Sequence, residues 1–412
     1  MTSRRTISVG TGGASTPDFY TEFANDLRDW FNAKSAVVIS AEDPGIATGT
    51  PPPAASADWG PRINALINEI EQTNPIVGGV IEFYPEQKKI STTVDAFSGK
   101  KAITISSAGE ALSGIFSSRG YGAGFYMGTS GMTMFKHNPG GSVNHWGPAF
   151  KGVVFSAEDF PTTGTLVDLQ NVNYWSLDHC SFVYGNTQLK VDARLDLSGG
   201  NDASYGNLDR VVFSHYNSRG FQMVSGQVKA NDLSWHQGVT GSWGMDFGPN
   251  VANSSLHGLK FDTLANGFLN KGSYNGFFHL KFEGALVGLR QDKDTSVSFS
   301  GEKNRYYDLG TTFRGAAGEV GIDVTSNVTQ FNAVYGYIFG GTPGSGGAVL
   351  NDPNGLLMVV SDEWIDGMGP ILKMPARFAA PAAPGAGGLM YFRAGAWRVR
   401  NGAGAEQTIT VA

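Results

Sequence analysis

Two aspartates occupy one repeated position in this sequence. Asp178 and Asp209 each stand four places before a phenylalanine, Phe182 and Phe213, and each is followed by a basic side chain, His179 and Arg210. Carboxylates at close range push their pKa values apart, and glycosidic acid–base chemistry uses that separation. The plainer reading is a solvated charge ladder in which Arg210 and His179 offset the acids, and the frequency of such surface pairs favours it. A second set, Asp262 and Glu283 just after Phe261 and Phe282, with Lys260 and Lys281 just before them, reads as ordinary cross-strand pairing. Two stretches, Gly185–Gly206 and His236–Asn253, read as the longest connections, where binding residues concentrate. Asp192, Arg194 and Tyr205 in the first, Trp243 in the second, and Arg210 beside them are the candidate glycan-binding residues. Aromatic faces suit the C–H surfaces of sugars, and planar polar groups suit their hydroxyls. Packing between subunits would use the same residues. The histidines from His179 to His279 fall at different repeat positions, and no HExxH, P-loop or G-x-S-x-G is present. Neither a metal nor a cofactor is expected.

The elements that must carry these residues repeat. An apolar residue, two variable positions, an apolar residue, one position and then Phe recur at Phe150–Phe155, Leu177–Phe182, Leu208–Phe213, Leu256–Phe261, Phe277–Phe282 and Val334–Phe339. Degenerate copies near Trp235 and Phe313 bring the working period into the twenties. Each copy is followed by a glycine and a short alternating run: Gly220, Gly244, Gly267, Gly288 and Gly321 read as turns that open strands. Short strands at this period are the signature of a β-solenoid, in which stacked coils bury one another's inward residues. The Phe positions should form an internal aromatic ladder. A β-propeller needs about 40–45 residues per blade, so it does not fit the period.

Composition agrees. Glycine supplies 57 of 412 residues, about twice the usual share, and charged residues only 16%. Net charge is −6 and no basic cluster occurs, which argues against nucleic acid as a partner. The single cysteine, Cys180, excludes a disulfide framework and reads as a buried structural thiol. No apolar run is long enough to insert in a membrane, and no signal peptide is recognisable at the start.

Three segments follow. Residues 1–55 hold a helix with the apolar stripe Phe19, Phe23, Leu27, Trp30 and Phe31, then a linker from 43 to 57. Residues 56–370 hold the repeats, entered through a helix at 58–74 whose face Ile63, Leu66, Ile67 and Ile70 can cap the open first coil. Residues 371–412 hold a Pro/Gly linker and a hairpin, Leu389–Arg393 with Ala396–Arg400, then Gln407–Val411.

The run Asp58-Trp59-Gly60-Pro61-Arg62-Ile63-Asn64-Ala65-Leu66-Ile67, followed by Gly78-Gly79-Val80-Ile81-Glu82-Phe83-Tyr84-Pro85, resembles the entrance of pectate-lyase-like right-handed parallel β-helices. The resemblance spans roughly residues 56–340. The extra N-terminal segment and the ending from Gly388 to Ala412 are similar to the bacteriophage branch: tailspikes, tail fibres and minor tail proteins. It implies an all-β chain, a single-stranded right-handed parallel β-helix with an N-terminal capping helix and a small C-terminal β module. It also implies a virion protein, in the tail rather than the head, made in the host cytoplasm. Such a protein is a homotrimer attached to other tail proteins through its N-terminal segment, and it binds host-surface polysaccharide. A polysaccharide-degrading hydrolase or lyase using Asp178 and Asp209 stays open beside this, as does a head-associated fibre or decoration protein.

Overall fold

The computed structural model describes residues 37–42, 52–73, 78–97, 102–107, 123–137, 145–157, 161–192, 205–263, 265–364, 370–373, 388–393, 396–401 and 406–409. The expected helix around Phe19–Phe31 and most of segments 1–55 and 374–387 lie outside them. Among the described residues the chain is mostly strand, with one helix, α1 (Gly60–Thr73). Asp58 caps α1 rather than opening it: its Oδ1 accepts the Gly60 amide at 3.0 Å, while its backbone bridges to Lys89. Ile63, Leu66, Ile67 and Ile70 are all buried, and Asn64 ties α1 down by accepting the Asp95 and Ala96 amides at 3.0 Å.

Around it runs one sheet of 26 strands, which fall into three parallel ladders except for the last, Pro370–Lys373, which pairs antiparallel with Leu357–Trp364. One strand from each ladder in turn makes a pass of the chain, so each residue faces its counterpart one pass on, about 4.8 Å away. The first ladder buries a row beginning Ile39, Ile81, Ile105, Phe150, Leu177 and Leu208 and ending at Val359. The second buries Phe125, Phe155, Phe182, Phe213, Trp235, Phe261 and Phe282 in register. From Phe155 onward these rings stack at 4.3–5.3 Å, which is the aromatic ladder the repeat predicts. Trp235 fills its rung as expected. Between Phe282 and Phe339 the rung is Thr311 rather than Phe313, because the register set by Leu280 and Leu309 carries Phe313 past the end of the strand. The third ladder buries Phe135, Val167, Leu189, Phe221, Met245, Phe268, Leu289 and Ile322.

The glycines expected at turns lie inside third-ladder strands instead. A Cβ on Gly267 would meet the Phe282 ring and the Gly288 carbonyl oxygen, each at 2.6 Å, and Gly220 and Gly244 press on Trp235 and Phe261 in the same way. This column is glycine because the aromatic row fills the space a side chain would need.

The bends between ladders are single left-handed residues, also in columns. Between the first and second ladders they are Gly152, His179, Arg210, Asp232, Gly258, His279, Asp308 and Gly336, with φ from 50° to 69°. On the opposite side a buried polar row closes the turn: Asn275, Asn304 and Asn332 each accept the amide of the preceding pass at 2.9–3.1 Å. Near the chain's end three antiparallel strands, Gly388–Arg393, Ala396–Asn401 and Glu406–Ile409, form a separate small sheet at the place expected for the hairpin.

Candidate functional site

Asp178 and Asp209 are direct partners in the first ladder, side by side on its outward face. The pairing follows from the inward rungs Leu177 and Leu208: once these are buried, the next residue on each strand must point out. His179 and Arg210 occupy the left-handed bend immediately after, so both turn back over the acids. His179 Nδ1 lies 2.5 Å from Asp178 Oδ1, and a carboxylate can only accept, which places the ring proton on Nδ1. Arg210 donates to Asp209 Oδ2 from Nη2 at 3.0 Å and from Nε at 3.1 Å, and Lys151 Nζ stands 4.0 Å from Asp178 on the preceding strand.

One donor atom each from Asp178, His179 and Asp209 falls within 4.8 Å of the others. The repeat position of the histidines alone pointed away from such a set, because it took no account of carboxylates as the other ligands. A cation placed there would compete with Arg210 and Lys151 for the same oxygens.

Tyr205 stands at the opposite end of the strand that ends in Asp209. It is 59% exposed and stacks on Tyr174, 52% exposed, with ring centroids 4.9 Å apart and planes 10° off parallel. Both tyrosines take left-handed φ, 57° and 58°, at the bend that enters the first ladder. Gly206 lets the strand sit down behind them: a Cβ there would strike the Trp175 indole at 2.1 Å. The two strands thus carry an outward strip with stacked tyrosines at one end, Ser176 and Asn207 between, and the acid–base cluster at the other. Its length is about 13 Å.

The remaining candidates are scattered. Asp192 ends a third-ladder strand and accepts the Ser225 hydroxyl at 3.3 Å, and Arg194 lies outside the described residues. Trp243 does not project from a loop. It begins the strand Trp243–Val251, is 7% exposed, and lies beneath Arg290, whose guanidinium is 5.4 Å from the ring. The stretch His236–Asn253 is therefore mostly strand, and Gly185–Asp192 likewise continues one. The alternating run after Gly244 marked part of the strand Trp243–Val251, but its start at Trp243 and the continuation past Gly185 were not marked.

Cys180 is the buried thiol expected, while the cross-strand pairing holds for Lys260 with Glu283 and not for Asp262, which pairs with Arg314 at 3.1 Å. Glu283 pairs with Lys281 at 2.6 Å and Lys260 at 3.4 Å, and the Lys281 bond leads in holding its carboxyl below the ordinary range. Cys180 is buried and its thiol is pushed up to about 12 by burial, so it is inert as a nucleophile. No helix among the described residues is long and apolar enough to cross a membrane.

No family model matches the chain, and no curated protein matches it. Solved structures do. A protein of Geobacillus virus E2, ORF18, aligns over 95% of this chain and 78% of its own at a TM-score of 0.57 and 12% identity. The DFA-IIIase of Arthrobacter chlorophenolicus A6, in complex with GF2, aligns over 82% and 90% at 0.47 and 12% identity. An alginate lyase of Paenibacillus sp. str. FPU-7 aligns over 76% and 97% at 0.43 and 12% identity. At such identities the viral protein's likeness is one of fold.

Proposed function

We propose that this chain is a right-handed parallel β-helix of a phage virion, a tail fibre or tailspike that binds host-surface glycan through the strip between Tyr174/Tyr205 and Asp178/Asp209. The observation that carries the binding reading is that strip: exposed aromatic rings and hydrogen-bonding side chains fixed on two rigid, in-register strands. Sugar recognition needs both kinds of group at fixed spacing. The virion assignment rests on the sequence resemblance and is supported by the fold shared with a viral protein. Assembly as a homotrimer, joined to tail proteins through the N-terminal segment, belongs to the same reading. Light scattering of the full chain checks it, and a stable monomer would overturn it.

Binding is preferred to cleavage because both carboxylates already have cationic partners within 4.0 Å. The test is adsorption of the purified chain to host cells alongside assays for reducing ends and unsaturated sugars. Wild type should adsorb without releasing product, and Tyr205→Ala with Asp209→Asn should lower adsorption at least tenfold. Product formation abolished by Asp178→Asn or Asp209→Asn would establish the depolymerase reading instead.

A further inference from the structure

The outward column of the first ladder that begins with Asp178 and Asp209 changes character along the axis. Its later members, His257, Phe278, Tyr307 and Tyr335, are partners on successive passes. Their rings stack at 4.3, 4.8 and 5.1 Å, with planes 4°, 6° and 14° from parallel. His257 is exposed and the other three are half-buried. At the bend entering these passes stand Tyr274 and Phe331, each 44% exposed, with Lys303 between them lying over the Tyr274 ring. The face is therefore aromatic here, where earlier passes carry Ser176, Asn207 and the two aspartates. A contiguous exposed apolar patch marks an interaction surface. Stacked rings cover one another's faces and offer their edges. Edges suit the rings and methyl groups of a protein better than the C–H face of a sugar.

The small three-stranded sheet near the chain's end has a side of the matching kind. Its register sets Phe392 opposite Trp397, Trp397 opposite Ile409, and Met390 opposite Val399, so these positions share one side. The other side holds Tyr391, Arg398, Arg400, Glu406 and Thr408. A sheet with one apolar side must bury it against another layer. This one measures about 10 by 20 Å, and the aromatic face about 10 by 17 Å. The connection to it starts from Lys373, which lies opposite Val359 on the strand after that of Tyr335. Tyr307 is three strand spacings from that point, about 14 Å. Residues 374–387 have a contour of about 45–50 Å, ample for the sheet to turn back over the rings.

We infer that the C-terminal sheet packs its apolar side onto the aromatic face of its own chain's column, as the second layer of a small sandwich. Tethering decides between this occupant and a second copy. A short connection holds the sheet at an effective concentration on the order of millimolar, about a thousand times that of another chain in a micromolar solution. The inference stands apart from the glycan reading, whose strip lies on earlier passes of the same face.

The test is cysteine cross-linking of the full chain at micromolar concentration with a short bismaleimide, to which the buried Cys180 is closed. Gln407→Cys, opposite Val399 on the apolar side of the sheet, is paired with Arg305→Cys beside Tyr307. A second pair joins it to Lys229→Cys, in the same outward column as Arg305 but three passes earlier, through Ser255 and Gly276. Docking within one chain should cross-link the Arg305 pair at least tenfold faster than the Lys229 pair, with the product at the mass of a single chain. Equal rates, as for a sheet that is tethered but undocked, or no cross-link at all would overturn the inference. Covalent dimers or trimers would overturn it too, and would give the face to a second copy. Tyr307→Lys on the column and Phe392→Asp on the sheet should each bring the Arg305 rate down to the Lys229 rate. Tyr307 points away from the core, so its change should leave the melting curve of the column in place and tests the contact even where Phe392→Asp unfolds the small sheet. A Tyr307→Lys chain that cross-links like wild type would also overturn the inference.

Discussion

His179 holds a backbone angle that most of its counterparts give to glycine or to a short or charged side chain. A non-glycine residue in the left-handed region is strained by about 1–2 kcal/mol, and strain of that kind gathers at functional positions. His179→Gly should therefore leave stability within about 1 kcal/mol of wild type, while loosening Asp178 and lowering host adsorption. Urea denaturation and cell binding on one preparation separate the two effects, and a variant that is unstable yet fully adsorbing would contradict the assignment. Asp58 makes the opposite case, a residue tied to folding alone. Burial disfavours its charge, but the Thr92 hydroxyl and the Ser91, Gly60 and Thr92 amides outweigh it and hold the carboxyl below its ordinary value. The stability it confers is thus complete above the unfolded carboxylate range and lost as pH falls through the depressed folded value. Asp58→Ala should cost about 1–2 kcal/mol at pH 7 and less as the pH is lowered, read from paired denaturation curves. At this scale the sequence revealed the pairing of Asp178 with Asp209, because one apolar template aligns both.

Strands and rows were legible to different degrees for physical reasons. The Phe template marks the first and second ladders because a short, fixed bend joins them from Phe150 onward, so their spacing in the chain is constant from that pass on. The third ladder is reached through connections of changing length, and its buried row mixes Val, Leu, Phe, Met and Ile. Its glycines were visible but misread, since glycine signals a turn and a close approach equally well. Gly267→Ala separates the two meanings. A turn glycine with open space, such as Gly315, where a Cβ meets nothing within 4 Å, loses mainly through its φ of 79°. Gly267 has no such angle to defend but would drive a methyl into Phe282 and the next strand's carbonyl. Overpacking of this kind should cost about 1–3 kcal/mol, and thermal melts should show it together with a change in aromatic circular dichroism. An alanine tolerated at Gly267 would refute the steric account.

At the scale of the molecule, the described parallel ladders stack as a column, and α1 packs its buried face at its start, tied to Ala41 and Thr93. Lys88, fully buried at the foot of the aromatic row, is neutralised there by Glu42 at 3.0 Å and lies over the Trp59 and Phe83 rings. Hydrogen bonds between passes point along the axis of the column, so tension applied end to end is carried by every interface in series. The first to part is then the one with the least holding it. Thr311 interrupts the ring stack between Phe282 and Phe339, and only its hydroxyl, accepting from Tyr337 Oη at 3.4 Å, answers for the lost aromatic contact. Single-molecule extension from the two termini should rupture first at that pass, and Thr311→Phe should raise the rupture force. A fibre anchored at one end and loaded at the other by a tethered cell would have its mechanical fuse in this threonine.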